Sequence, residues 1–197
     1  MRLFDQVMIV HAENELNFST TALRLGARAG SDFLSSITAA LSVLRGHRHG
    51  GAAAGVMAFL ESVSTEVDMA GVVRSHCESR RRIPGFGHLI FRGGDPRAIL
   101  LKSLLSSFVA LHPERRNIFD CAQRVEEEVF RQKKLKPNVD FYAGVIYACL
   151  CIPQSWATAL FAISRLMGWV AHFDEELRHS SPQKSIRETG HKKGDDH

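Results

Sequence analysis

Apolar residues recur along this chain with a period near 3.6. Phe33, Leu34, Ile37, Ala40, Leu41 and Leu44 keep the i, i+3, i+4, i+7 spacing that gathers them on one side of a helix. Met57, Leu60 and Val63 resume the pattern beyond a glycine bend. Asp95-Pro96 predicts a helix start, with Asp as N-cap and Pro in the first turn. It leads into Ile99, Leu100, Ser103, Leu104 and Phe108. Ile118, Cys121, Ala122, Val125 and Val129 mark another stripe, with Glu126 to Glu128 on its solvated side. Tyr142 to Leu150 and Trp156 to Phe173 predict two further, strongly apolar helices. Strand-like alternation and internal repeats are missing, so the expected class is all-α.

The first residues already belong to such a pattern. Phe4, Val7, Met8 and Val10 trace a buried helix face, as if the fold were entered halfway. Gly46 to Gly51, Pro84 to Gly87, Gly93-Gly94, Pro137 and Pro153 punctuate the chain. From about His179 onward the sequence is polar and without apolar period, which predicts a mobile tail.

Composition narrows the class without choosing a function. The 197 residues suffice for one medium domain or two small ones, and 45% hydrophobic with 23% charged residues is ordinary for a soluble globular protein. The net charge of +4 suits an anionic partner but equally an enzyme that binds no polyanion. Basic patches interleaved with aromatics are absent, which argues against nucleic acid. The longest near-continuous apolar run, Phe141 to Ile152, is too short to span a bilayer. Asp5 and Gln6 interrupt the N-terminal apolar segment, making it a poor signal peptide, so a cytoplasmic protein is expected. Cys77, Cys121, Cys149 and Cys151 show no C-x-x-C spacing and read as buried free thiols of a reducing compartment.

Three segments place a titratable side chain among glycines, prolines or an amide. They are His49 in GHRHGG, His88 in RIPGFGH and Asp140 in KPNVD. Glycines let backbone approach a ligand closely, and two histidines with a carboxylate can divide acid and base roles. Arg92 and Arg97 follow His88, and Arg165 lies inside the apolar run FAISRLMGW. A buried arginine needs a carboxylate or phosphate, and here either a ligand or a salt bridge to Asp174 or Glu175 would serve. His47 and His49 form an H-x-H pair, compatible with a metal site or a solvated loop, but no third ligand stands at suitable spacing. His76, His112, His179, His191 and His197 read as surface residues.

Together these segments resemble the citrate synthase family. His11 to Thr20, HAENELNFST, is similar to the family's H-A-D/E-H-E-x-N-x-S-T. Leu44 to Ala53 is similar to L-x-G-P-x-H-G-G-A-N, and Pro84 to Arg97, PGFGHLIFRGGDPR, to GFGH followed by DPR. PNVDFYAG (137–144) and FAISRLMGWVAH (161–172) match PNVDFYSG and FAxSRxxGWxAH. The five blocks come in the family's order and cover roughly residues 4 to 178. The resemblance implies an all-α citrate synthase-like fold comprising part of a large domain and a small domain. Residues 1–50 would be a large-domain part with a long dimer-contact helix from Ser19 to Leu44. Residues 51–151 would be the small domain, 152–178 a large-domain return helix and 179–197 a mobile tail.

The implied reaction condenses acetyl-CoA or propionyl-CoA with oxaloacetate to give citrate or 2-methylcitrate and CoA, with no cofactor, since acyl-CoA is a substrate. Asp140 would take the methyl proton, His49 would hydrogen-bond the thioester oxygen as the enol forms, and His88 would protonate the ketone oxygen. Arg97 and Arg165 would hold carboxylates, beside Asn14 at the 2-oxo acid. Arg92 and Asn138 would lie on the CoA side. A homodimer or a complementary chain is the implied protein partner, with neither membrane nor nucleic acid. The chain departs from the pattern at Asn14, where the family has histidine, at Ala53 for asparagine, and at Ser181 for an arginine before proline. The first half of the family's chain is not in this sequence. These departures also fit a truncated, catalytically weak or inactive paralogue acting as partner of a complete synthase.

Overall fold

A computed structural model describes residues 2–46, 49–64, 68–78, 82–88, 91 and 93–179. The helices are α1 (Arg2–His11), α2 (Phe18–Arg28), α3 (Phe33–Leu44), α4 (Ala52–Ser64), α5 (Met69–Glu78), α6 (Pro96–Leu111), α7 (Arg116–Lys133), α8 (Val139–Cys149) and α9 (Ala157–His179). Short 3-10 turns at Pro113–Arg115 and Gln154–Trp156 lead into α7 and α9. Among the described residues the only β-type pairing is an isolated antiparallel bridge between Phe86 and Pro137. The all-α expectation holds.

Side-chain caps set five of the helix starts, among them Asp68 Oδ1, which accepts the Gly71 N–H of α5 at 2.9 Å. Asn17 Oδ1 accepts the Thr20 N–H at 3.0 Å, and Asp32 Oδ1 accepts the Ser35 N–H at 3.0 Å. Asp95 and Asn138 cap α6 and α8 by bonding the N–H two residues on. The long helix expected from Ser19 to Leu44 is therefore two helices. Gly30 takes φ +80°, which ends α2, and Asp32 restarts the chain as α3. The pair packs so closely that a Cβ on Gly26 would stand 2.8 Å from Ser36 Oγ.

Helix α8 is the axis of the larger core. Phe141, Tyr142, Ala143, Val145, Ile146, Tyr147 and Cys149 are all buried, which is why its sequence is apolar on every side. Around it lie α1 through Leu3 and Val7, α4 through Val56, Phe59 and Leu60, α6 through Leu101 and Leu105, and α7 through Ala122 and Val125. A Cβ on Gly144 would meet Val56 Cβ at 2.8 Å and the Ala53 carbonyl at 2.9 Å, so α4 and α8 touch at backbone distance. A smaller core joins α2, α3 and α9 through Leu23, Ala40, Leu44 and Trp169, with Phe161 and Phe173 packed against it.

The inner faces of α1 and α8 thus pack within the chain, through Leu3 and Val7 and through Phe141 to Cys149. Exposed apolar residues include Ile9 on α1, Ile99 and Leu111 on α6, and Phe18, Leu25, Leu34, Ile163 and Met167 on α2, α3 and α9. The four thiols are free; Cys77 and Cys149 are buried and Cys121 half-buried, but Cys151 is exposed in a left-handed turn after α8. No described helix is long and apolar enough to cross a membrane.

Candidate active site

Two chain segments are tied together to present His88 and Asp140. The Gly87 N–H donates to Lys136 O at 2.9 Å, and the Asn138 N–H donates to Gly85 O at 2.8 Å. The Asn138 side chain completes the link: Nδ2 donates to Gly87 O at 3.0 Å and Oδ1 accepts the Asp140 N–H at 3.0 Å. Gly85 has φ +78°, and a Cβ there would lie 2.7 Å from both Phe141 Cβ and Val56 Cγ2. No other residue fits that bend.

Asp95 anchors the same corner from below. Its carboxylate accepts Arg97 N–H and Nε through Oδ1, each at 3.0 Å, and Arg97 NH2 and the Val139 N–H through Oδ2, each at 2.9 Å. One buried carboxylate therefore caps α6, satisfies the first amide of α8 and forks Arg97. Burial pushes the Asp95 carboxyl up, but the guanidinium and the two N–H donors outweigh it and hold it below its ordinary value. Arg97 also lies 3.5 Å from His88 Nε2 through its NH2. His88 Nδ1 accepts the Phe91 N–H at 3.2 Å, and partial burial, opposed by Asp95 and reinforced by Arg97, lowers its pKa.

His49 reaches the site from the turn between α3 and α4. Its N–H donates to Gly46 O at 2.9 Å, and Gly50 N–H donates to Leu44 O at 2.9 Å. A Cβ on Gly50 would be 2.5 Å from that carbonyl, so the turn requires glycine there. His49 Nε2 accepts the Ser19 N–H at 3.3 Å and lies 2.8 Å from Ser19 Oγ. A backbone N–H can only donate, which puts the ring proton on Nδ1. Burial, then the Arg165 charge, lowers the His49 pKa and keeps the ring neutral. The hydroxyl of Ser19 also contacts Asn17 Oδ1 at 2.8 Å, so the α2 N-terminus and the His49 turn are one hydrogen-bonded unit.

Arg165 on α9 is buried, 1% exposed, without the ion pair to Asp174 or Glu175 that its sequence context allowed. Those carboxylates bind Arg178 and Arg24 instead. Arg165 Nε donates to the His11 carbonyl at 2.7 Å, its guanidinium lies over Phe161 at 5.1 Å, and its NH1 is buried without a partner among the described residues. Burial, with Arg97 nearby, pushes its pKa down to about 10, still a cation at neutral pH. The His11 ring lies 4.9 Å from Phe161, and the His49 ring lies 6.1 Å from the same ring. His11 Nε2 stands 3.8 Å from Asp140 Oδ1. Removal from water pushes the Asp140 carboxyl up to about 6, against the attraction of Arg97 and Arg165. Gly168 makes this crossing possible, because a Cβ there would sit 2.2 Å from Ala12 O.

Six of the eight residues singled out by sequence thus share one neighbourhood: His49 and Arg165 meet it through Phe161, Asp140 through His11, and His88, Arg97 and Asn138 through Asp95 and Gly85 to Gly87. Asn14 is half-buried on the loop between α1 and α2, next to Glu13, which bonds His172 at 3.1 Å. Arg92, His47 and Ser181 lie outside the described residues, and among the described residues no group of three His, Cys, Asp or Glu is placed to hold a metal. Ala53 is buried in the α4–α8 contact. His76, expected at the surface, is half-buried over Phe59, with rings 5.1 Å apart. Asp95, Ser19 and His11 were not read as site residues; Asp95 gave only a capping signal, and His11 only its place at the head of HAENE.

A cavity of about 710 Å³ lies elsewhere, between α4 and α7, lined by Met57, Glu61, Cys121 and Arg124.

Residues 1–189 match the family model "Citrate synthase, C-terminal domain". Citrate synthase 2 of Bacillus subtilis is 39% identical over 173 residues, which cover 88% of this chain and 46% of that protein. A ternary complex of carboxymethyl coenzyme A and oxaloacetate with citrate synthase from Thermoplasma acidophilum superposes with a TM-score of 0.77 at 31% identity, over 90% of this chain and 48% of the other. Citryl-CoA lyase from Hydrogenobacter thermophilus superposes with a TM-score of 0.79 at 26% identity, over 100% of this chain and 78% of that one. The chain spans about half the length of the curated relatives it matches. The chain belongs to the citrate synthase family and carries its C-terminal domain.

Proposed function

We propose that this chain holds the catalytic groups for joining an acyl-CoA to a 2-oxo acid, condensing acetyl-CoA or propionyl-CoA with oxaloacetate. Asp140 takes a proton from the carbon next to the thioester, while His49 gives its Nδ1–H hydrogen bond to the thioester oxygen, where negative charge develops. The enol carbon attacks the ketone carbon, and His88 delivers a proton to the ketone oxygen. Water then cleaves the thioester, releasing citrate or 2-methylcitrate and CoA. Arg97, already forked on Asp95, and Arg165, with a free NH1, hold the 2-oxo acid's carboxylates beside Asn14. The Asn138 amide is engaged at both ends within the chain, so its part on the CoA side is to shape the Gly85–His88 backbone.

The observation that carries this reading is the Ser19 N–H on His49 Nε2. It leaves a neutral ring with Nδ1–H as donor, as an enol oxygen requires. The test is release of free thiol from acetyl-CoA or propionyl-CoA with oxaloacetate. No release from the pure chain, nor with a complementary chain added, rejects catalysis.

Two observations favour other uses of the same family fold. The fold is shared with a citryl-CoA lyase at 26% identity and a TM-score of 0.79, so cleavage of citryl-CoA is a second reaction this site could serve. Formation of acetyl-CoA from citryl-CoA without thiol release from acetyl-CoA would select it. The outward Phe18, Leu25, Leu34, Ile163 and Met167 suit a homodimer or a non-catalytic partner of a complete synthase. Turnover by a stable homodimer alone would exclude the non-catalytic role.

A further inference from the structure

The reaction proposed above uses Asp140, His49 and His88, and leaves a third histidine at the site without work. His11 ends α1, and its side chain is wholly buried. Both ring nitrogens lack a hydrogen-bond partner among the described residues, a costly state for a buried imidazole. The ring packs on Phe161, and its peptide carbonyl holds Arg165 Nε. The polar group facing it is the Asp140 carboxylate, with Oδ1 at 3.8 Å from Nε2.

We infer that His11 is a positioning residue for Asp140: its neutral ring gives an Nε2–H hydrogen bond to Oδ1 and leaves Oδ2 directed at the proton to be removed. An ionised carboxylate can only accept, so the facing nitrogen must carry the hydrogen. The remaining gap is about 1 Å beyond a normal hydrogen bond. Asp140 can close it, because it sits in the first turn of α8 with its side chain 23% exposed, whereas His11 is fixed between Phe161 and backbone. Burial, reinforced by the Arg165 and Arg97 charges, lowers the His11 pKa to about 3, so the ring competes for no proton at working pH. The groups acting on Asp140 from the other packed elements are Arg97 and Asp95 at the start of α6, Arg165 on α9 and Arg82 before the Pro84 turn. Tyr147, two turns along α8, has a buried hydroxyl without a partner among the described residues and senses the Asp140 charge. His11 is the group that supplies a directed donor rather than a field. The same residue thus orders the base through its ring and the carboxylate clamp through its carbonyl. The inference rests on Asp140 serving as base.

The experiment is NMR on the full chain without substrate. In ¹⁵N-histidine-labelled protein at pH 7.5, His11 is expected as the Nε2–H tautomer; an Nδ1–H tautomer overturns the inference without any variant. The ¹³C titration of the Asp140 carboxyl then reads the interaction itself. His11→Leu is expected to raise its midpoint by about one pH unit, a tenfold change in proton affinity. His11→Gln, which keeps a donor, is expected to restore at least half of that shift. An unchanged midpoint in a folded His11→Leu protein overturns the inference. These readouts need no turnover: a chain with both shifts but no thiol release refutes the condensation reading while supporting the pairing.

Discussion

Asp95→Ala removes one side chain and four interactions. The α6 N-terminus loses its cap, worth about 1 kcal/mol. The Val139 N–H, buried at the start of α8, loses its acceptor, at a cost of about 1–3 kcal/mol. Arg97, whose side chain is 15% exposed, keeps its charge without its forked partner, adding about 2 kcal/mol after partial resolvation. The expected loss is about 5 kcal/mol, comparable to the whole stability of many domains. Asp95→Asn keeps one carbonyl oxygen for the Val139 N–H and should cost about 2 kcal/mol. Urea unfolding followed by circular dichroism measures both, read as a shifted midpoint at constant slope. The pH dependence gives a second readout. The folded carboxyl titrates below its unfolded value of 3.8, so its stabilisation is present above about pH 4 and lost as pH falls through the folded pKa. Asp95→Asn should flatten that acid limb. A loss below about 1 kcal/mol for Asp95→Ala would show that α6, α8 and Arg97 do not share this anchor, and the reasoning would fail.

Asp140 behaves oppositely. Its folded pKa of about 6 exceeds the unfolded 3.8, so stability is highest below pH 4 and declines by up to about 3 kcal/mol as pH rises to 6. Chemical denaturation across that window should show the decline, and Asp140→Asn should abolish it. If Asp140 is the base, kcat/KM for the condensation should rise with a midpoint near pH 6, and Asp140→Asn should remove that limb with the activity. His49→Ala should lower kcat by about 100- to 1000-fold with little change in the KM for oxaloacetate, measured by thiol release, since its hydrogen bond strengthens only as the enol oxygen charges. Gly168→Ala should cost about 1–3 kcal/mol in thermal unfolding and weaken oxaloacetate binding, because the added methyl displaces Ala12 O and with it the His11 carbonyl on Arg165.

The helices were legible because their burial is one-sided and periodic. The stripe of α7 and the Asp95-Pro96 start appear as read. The break between α2 and α3 was missed because LGARAGSDF continues a tolerable helical pattern; Gly30 and Asp32 end and restart it through backbone conformation and capping, which periodicity does not register. His49, His88 and Asp140 were legible as loop groups among glycines. The partners that tune them were not. Ser19 lies 30 residues from His49, Asp95 contacts Val139 across 44, and Arg165 reaches His11 across 154. Such pairings depend on how α1, α2 and α9 cross, and no local pattern encodes a crossing. The enclosure of α1 and α8 was hidden for the same reason: an apolar face shows that it is covered, but not by what.

The buried guanidinium of Arg165 bears on the stability of this fold. A cation with a buried, unshared NH1 weakens the fold, and a methionine or leucine of similar bulk would relieve it at once. The buried imidazole of His11, whose Nδ1 has no hydrogen-bond partner among the described residues, carries a similar burden one contact away. Both remain polar and side by side in a core that would be firmer without them. If that interior serves an anionic ligand as proposed, an Arg165→Met protein is the natural reference against which to weigh the cost of function.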